Sequence, residues 1–460
     1  MYVTQHNAKD FRNLENAVIS PDRSINIIFG ENGQGKTNLI ESIWLFTGCH
    51  SFRTRKNSQL IRENCERSML DISFFAFDRD QTARLELTDK KDVWINGVHK
   101  DTPRRLIGEF PAVLFSPATL SIVQDGPGER RKFIDIAISL VKPNYAGILS
   151  KYIKTLSERN ALLRQAASGN ISSDMFFSWD AQLSALGAKI LRYRFEYLDM
   201  IKKQAAENYS GITAGREKLT VRYDTFCKAT DFDEQSAAQT MLDELEKSRE
   251  TDIRRQFTGT GPHKDDLSFF INNRNARIYG SQGQQRSCAL SLKLAEADIL
   301  EKITDESPII LLDDVMSELD DGRQELLLER LGKRQVFITC CDPSQLLRLQ
   351  KGKAFEMTDG SINEIRGGRL MYLHLGQDKV VSMDEIVGIF DLDTSTVSKA
   401  TRDYLAKAEK DGCVTNVCTD LPKSFIVCIG RDQKTHVYIS QISSSTLLKR
   451  TEYVDSLSNI

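Results

Sequence analysis

Gly30-Glu31-Asn32-Gly33-Gln34-Gly35-Lys36-Thr37 satisfies G-x-x-x-x-G-K-[ST], with the apolar run Ile25–Phe29 before it and the helical pattern Asn38–Phe46 after it. Strand, glycine-rich turn and helix stand in the order that a phosphate cradle requires, which a chance glycine-rich turn does not explain. Gly30, Gly33 and Gly35 allow the backbone N–H groups of the loop, those of Glu31, Asn32 and Gln34 among them, to turn inward around a β-phosphate, and the helix N-terminus adds a favourable dipole. Lys36 is expected to reach the β/γ oxygens, and the Thr37 hydroxyl to ligate Mg²⁺. ATP and Mg²⁺ are the expected cofactors.

Further along, Pro308–Leu312 is an apolar run ending in Asp313-Asp314. A carboxylate at the carboxyl edge of a parallel strand lies beside the phosphates, so Asp313 is the expected Mg²⁺ ligand, acting through water. Ser281-Gln282-Gly283-Gln284-Gln285-Arg286, ahead of a helix, resembles the signature motif of ABC-type ATPases; Ser281, Gly283 and Gln284 carry the match. Ser317-Glu318-Leu319-Asp320 resembles the D-loop of that superfamily, and Thr339, ending Gln335–Thr339, sits where a switch residue would sense the γ-phosphate. Asp314 sits where those enzymes place a glutamate that polarises the attacking water; aspartate is one methylene shorter, which implies slow hydrolysis. A signature of this kind works in trans: the serine hydroxyl and helix N-terminal amides of one copy complete the γ-phosphate shell of another. An ATP-dependent homodimer is implied.

At 460 residues the chain has room for two or three domains. Its formal net charge is -2, so nucleic-acid contact has to come from local patches. The start MYVTQHNAKDFRN lacks an apolar signal core, and runs such as Ile309–Leu312 are far too short to span a bilayer, so the expected location is cytoplasmic. Nine cysteines show no CxxC spacing and read as reduced residues.

The expected fold class is α/β: a P-loop ATPase head with a mixed sheet, a helical arm and a small C-terminal α/β module. Residues 1–120 alternate apolar runs with turn signals, including the hairpin dipeptide Asn96-Gly97. Residues 121–255 carry amphipathic stretches at Tyr145–Gln165, Trp179–Tyr209 and Ser236–Arg255, which predict a helical arm. Residues 256–366 return to strands, with helical patterns at Gln284–Lys302 and Gly322–Leu331. Arg366-Gly367-Gly368-Arg369 then breaks the pattern before a separate module at 370–460.

Phe11-Arg12-Asn13, GENGQGKTNL, VLFSP (Val113–Pro117), GERRKFID (Gly128–Asp135), GPHKDDL (Gly261–Leu267), GSQGQQR and LLDDVMSELD together resemble the RecF family over roughly residues 1–366. That resemblance implies an ATP-dependent dimer that binds single-strand/double-strand DNA junctions and helps load a recombinase through RecO- and RecR-like mediator proteins. It also implies that Arg12 and Asn13 approach the nucleotide. Lys264 stands where the family more usually has arginine, keeping the charge but losing the bidentate fork. Basic clusters at Arg53-Thr54-Arg55-Lys56, Arg104-Arg105, Arg130-Arg131-Lys132 and Arg254-Arg255 could line a channel that neutralises DNA phosphates without reading bases. Two other readings remain: a nucleotide-gated DNA scaffold in which hydrolysis is incidental, and a transcriptional or matrix regulator dominated by the tail.

MYLHLGQDKVVSMDEIVGIFD and ISSSTLLKR resemble the small RemB-like proteins grouped with extracellular-matrix regulators. The expected elements there are a strand-like start, helices near Met383–Phe390 and Ser395–Lys410, and strands at Ser424–Gly430 and His436–Ser440. A protein-contact role and an idle fusion are both compatible with it.

Overall fold

Alternating apolar residues put one face of each N-terminal strand against a core. Strands β1 (Tyr2–Phe11) and β2 (Leu14–Ile19) form a hairpin, β3 (Ile25–Phe29) departs into another sheet and is followed by helix α1 (Lys36–Trp44), and β4 (Ser68–Ala76), β5 (Arg79–Leu87), β6 (Lys91–Ile95) and β7 (Val98–Lys100) return. The result is an antiparallel sheet in the order β2-β1-β4-β5-β6-β7. Asn96 and Gly97 both have positive φ, 51° and 77°, as the two-residue turn between β6 and β7 requires. Strand β8 (Ala112–Phe115) joins β3 in the second sheet.

The computed structural model describes residues 1–54, 56–169, 175–227, 232–341, 352–365, 372–376, 379–382, 385–396, 398–417, 421–430 and 434–448. They fall into two compact units, drawn from Met1–Cys340 with Glu356–Asn363 and from Cys341–Phe355 with Glu364–Ile460. The sequence break at residues 366–369 lies outside the described residues.

After β8 come α2 (Pro117–Leu120), α3 (Pro127–Val141), α4 (Pro143–Ala167) and α5 (Phe176–Ile212). The expected all-helical arm is then interrupted by strand β9 (Leu219–Asp224) before α6 (Glu234–Arg255). This corrects the sequence reading: β9 is six residues long and pairs antiparallel with β10 (Asp266–Ile271), and β11 (Arg274–Asn275) completes a three-stranded sheet. A partner found only across the arm left no local signal. Inside the arm, Arg159 is fully buried and donates to Asp180 at 2.6 Å, Asp252 at 2.9 Å and Thr258 at 2.8 Å. Removing Arg159 would take from both buried carboxylates the cation they share.

Helix α7 (Ala276–Tyr279) leads into α8 (Gln282–Thr304), β12 (Ile309–Leu312), α9 (Asp321–Leu331) and β13 (Val336–Cys340). Strands β3, β13, β12 and β8 lie side by side and parallel. Every residue of β12 is fully buried, as expected when helices cover both faces of a parallel sheet. Each such side chain contributes about 1.5–3 kcal/mol on leaving water. Segment Glu356–Asn363, in the same unit, extends this sheet beyond β3 through parts of β14 (Lys353–Thr358) and β15 (Ser361–Glu364). The carboxyl ends of β3 and β12 therefore open on the same edge.

The second unit contains the hairpin β16 (Tyr372–Gly376) and β17 (Lys379–Ser382) and a four-stranded sheet, β18 (Ile386–Asp391), β19 (Val414–Asn416), β20 (Ser424–Ile429) and β21 (Thr435–Ser440), ordered β18-β20-β21-β19. Helices α10 (Leu392–Ser395) and α11 (Lys399–Lys410) accompany it. The helix expected near Met383–Phe390 is instead strand β18, because Ile386, Ile389 and Phe390 pair antiparallel with β20 and the Phe390 and Phe425 rings stack at 4.9 Å. Leu373, Leu375, Val381, Val417, Ile426, Cys428 and Leu447 build this unit's own core. Among the described residues no helix is long and apolar enough to cross a membrane.

Candidate nucleotide-binding site

The loop Gly30–Thr37 joins β3 to α1. Gly30 and Gly35 have φ of 151° and 116°, and a Cβ at Gly30 would come within 2.3 Å of the Met357 carbonyl oxygen, one at Gly35 within 2.7 Å of Asn13 Oδ1. Glycine is therefore required at both positions by conformation, and at Gly30 also by the backbone oxygen that fills the space. The Lys36 ammonium, almost wholly buried, donates to the carbonyls of Gly30 at 2.7 Å and Glu31 at 2.9 Å, which holds it across the cradle it is expected to serve. Gln34 receives the Asp359 N–H on its side chain and the Gly360 N–H on its carbonyl, the latter at 3.0 Å. Glu31, Asn32 and Gly33 form the exposed crest.

Asn13 belongs to this assembly. Its Nδ2 donates to the Gly33 carbonyl at 3.3 Å, and its Oδ1 accepts from Asn38 at 2.7 Å. Arg12 is placed differently: its guanidinium forms a bidentate pair with the fully buried Glu41 of α1, at 3.0 and 2.9 Å. Glu41 also accepts from Ser51 and lies 3.8 Å from Arg53. It thus anchors two cations beside the cradle, a role with no motif to announce it.

At the end of β12, Asp313 Oδ1 accepts from the Thr37 hydroxyl at 2.8 Å and from the Thr339 hydroxyl at 3.0 Å. Burial raises the Asp313 pKa, and these two hydrogen bonds work against that rise. A hydroxyl and a carboxylate side by side are the hard-oxygen donors that Mg²⁺ takes from a protein, leaving its other positions to phosphate and water. Asp314 adopts φ 52°, and its N–H donates to Thr339 Oγ1 at 2.9 Å. Thr339, expected from its position to sense the γ-phosphate, is fully buried and spends its hydroxyl on the acidic pair. In this arrangement it sets the geometry of Asp313 and Asp314.

Ser281 is the N-cap of α8. It accepts the Gln284 N–H at 3.2 Å, while Gln284 Oε1 accepts the Ser281 N–H at 2.9 Å, so the two close a capping box. The Ser281 hydroxyl acts there as acceptor, and among the described residues no acceptor takes its own proton. Arg323 donates to the Gly283 carbonyl at 3.2 Å and to Ser287 at 2.9 Å and pairs with Asp320. Arg286 grips Glu318 through its side chain and through its carbonyl, the latter at 2.7 Å. The start of α8 and the segment Ser317–Asp320 are thereby tied together. Among the described residues no hydrogen bond joins Ser281, Gly283 or Gln284 to the loop Gly30–Thr37.

The basic clusters divide. Arg130 is 3% exposed and forms a bidentate pair with Asp266 at 2.7 and 2.8 Å, and Arg131 donates to the Asp265 carbonyl at 2.7 Å. Arg130 is therefore a strut between GERRKFID and GPHKDDL and not a phosphate contact; only Lys132 of that cluster is exposed. Arg194 continues the strut, binding Asp135, Tyr223 and the Pro262 carbonyl. Burial raises the Asp265 pKa to about 6 and lowers that of His263 to about 4. A cavity of about 210 Å³ adjoins Asp265, lined also by Asp224 and Lys264 among others; two carboxylates against one lysine make it a poor anion site. Arg53 and Lys56 remain exposed, and Arg55 lies outside the described residues.

The RecF/RecN/SMC N terminal domain family matches residues 2–363. The chain is 38% identical over 374 residues to the DNA replication and repair protein RecF of Halothermothrix orenii, covering 80% of this chain and 100% of that protein. It is 36% identical over 366 residues to the RecF protein of Clostridium perfringens, covering 79% and 99%. Among solved structures, one described as the recombination mediator protein RecF-ATP in the RecFOR pathway is 34% identical with a TM-score of 0.74, covering 79% of this chain and 97% of that one. Another, described as RecF-ATPrS in the same pathway, has a TM-score of 0.75 at the same identity, covering 79% and 98%.

Proposed function

The chain belongs to the RecF family, and from that premise we propose that it is an ATP-binding DNA replication and repair protein whose nucleotide site is completed by a second copy of itself. The observation that carries this reading is the division of the machinery. Lys36, Thr37, Asp313 and Thr339 are gathered around one loop, whereas Ser281, Gly283 and Gln284 stand at a helix start and, among the described residues, make no hydrogen bond to it. A γ-phosphate held by the loop would need the exposed Ser281 of another copy to fill its outer face.

In this mechanism the loop amides and Lys36 hold the triphosphate, and Thr37 and Asp313 would hold Mg²⁺. When bound, the ion neutralises charge on the β and γ oxygens. Asp314 orients the attacking water; fixed by its N–H to Thr339, its short side chain leaves that water loosely held, so turnover is slow and the ATP-bound dimer long-lived. The dimer grips DNA at single-strand/double-strand junctions through phosphate contacts, and RecO- and RecR-like mediator proteins connect it to recombinase loading. Support for the mediators comes from the pathway named for the related structures.

Residues 370–460 we read as a RemB-like module, supported by the independent core of the second unit. Retention of gapped duplex DNA tests the main reading: the full chain should bind it tightly only with ATP and Mg²⁺, and equal binding without nucleotide would overturn it.

A further inference from the structure

Helix α5 is 37 residues long, and its last turns carry Tyr209, whose ring is fully buried. The Tyr209 hydroxyl donates to Glu217 Oε2 at 2.6 Å, and Glu217 Oε1 accepts from Gln284 Nε2 at 2.7 Å. Gln284 spends its other amide end on the Ser281 N–H. Turning that amide over would set its oxygen against the carboxylate and its NH₂ against an N–H, so Glu217 dictates which way Gln284 faces. Gln284 in turn holds Ser281 through the capping box.

We propose that Glu217 is a positioning residue for ATP turnover, tying arm helix α5 to the signature motif so that load on the arm changes how Ser281 is presented to the partner copy's γ-phosphate. The proposal rests on the composite site described under Proposed function. Three observations favour a transmitting role. Burial keeps Tyr209 far above its ordinary pKa, so it stays a donor to Glu217 over the whole working range. Asp298 of α8 accepts from Gln204 at 3.2 Å and from Asn208 at 3.1 Å, both on α5, so the two helices are tethered at a second level. The bridge to Gln284 leaves from Glu217, just beyond α5, and reaches the first turn of α8, where a small rotation is felt by every capping atom.

On the proposed function, turnover depends on DNA; the test uses the full chain and three variants, with turnover measured with and without gapped duplex DNA. Glu217→Ala should lower DNA-stimulated kcat by about tenfold, the value of one charge-assisted hydrogen bond, with KM for ATP unchanged. Glu217→Gln should restore it, because an amide can still accept from Gln284 and donate to the Tyr209 oxygen. Tyr209→Phe, which removes one oxygen, should leave DNA-independent turnover at the parent value and reduce only the stimulation by DNA; it decides the matter if Glu217→Ala does not fold. Parent-like stimulation in both Glu217→Ala and Tyr209→Phe would overturn the proposal, as would equal losses in Glu217→Ala and Glu217→Gln. If the parent itself neither pairs with ATP nor hydrolyses it, the composite-site reading has failed, which the parent control reveals separately.

Discussion

The Thr37 hydroxyl donates to Asp313 Oδ1 at 2.8 Å, joining the helix start of the phosphate loop to the end of a strand 276 positions away. Two segments far apart in sequence are thus held in register at the edge of the parallel sheet. Asp313→Ala should weaken Mg²⁺-dependent ATP binding by at least the ~10–100-fold that losing even an outer partner of a metal costs. Lys36→Met should abolish binding altogether, since its ammonium lies across the loop. Titration with a fluorescent ATP analogue checks both.

On the proposed mechanism, Thr339 acts on hydrolysis through the acidic pair it holds. Thr339→Val keeps the shape but leaves the Asp314 N–H without its acceptor and removes one of the two hydroxyl donors to Asp313, Thr37 being the other, at a cost of about 1–3 kcal/mol. Thermal unfolding should show that loss, and steady-state turnover should fall while ATP binding persists. Thr339→Ser should restore turnover.

Much of this site was legible because its chemistry fixes spacing locally: a cradle needs its glycines within eight residues, and a carboxylate beside the phosphates must end an apolar strand. Other features depend on partners that sequence does not name. A run of Arg-Arg-Lys looks the same whether solvated or paired, and Arg130 finds Asp266 across 136 positions. Strand β9 hides among amphipathic helices because its partner β10 lies beyond α6. The helical reading of Met383–Phe390 failed because apolar spacing there fits two periods, and pairing with β20 chose the strand. Glu217 belongs to no motif, and only its two hydrogen bonds reveal it.

Arg130 and Lys132 should separate stability from DNA contact. Arg130→Ala removes the bidentate partner of Asp266, which keeps only the Leu267 N–H and partial contact with water, and should cost about 1–3 kcal/mol, with no change in the salt dependence of DNA binding. Lys132→Ala should leave the melting temperature unchanged and reduce the slope of log affinity against log salt by about one. Calorimetry and binding at several salt concentrations check the pair.

Acid should destabilise the head through buried histidines. His6 is fully buried between Ser42 and the Asp71 carbonyl, and burial lowers its pKa from 6.5 to about 4. The unfolded chain takes up a proton near 6.5 and the folded one does not until about 4, so His6 contributes stability above 6.5 that drains as pH falls toward 4. The amount is of order 3 kcal/mol. His263 acts in the same direction, whereas Asp265, raised to about 6, opposes both by keeping its proton in the folded state as pH falls below 6. The melting temperature should fall between about pH 7.5 and about pH 5, and His6→Gln should narrow that difference.

Sedimentation of the full chain with ATP, Mg²⁺ and gapped duplex DNA, beside Ser281→Arg, probes the composite site most directly. The parent should shift to the mass of two copies only when nucleotide is present, and Ser281→Arg should bind ATP normally yet stay single. A parent that remains single at saturating ATP and DNA, or a Ser281→Arg variant that pairs as well as the parent, would contradict the account.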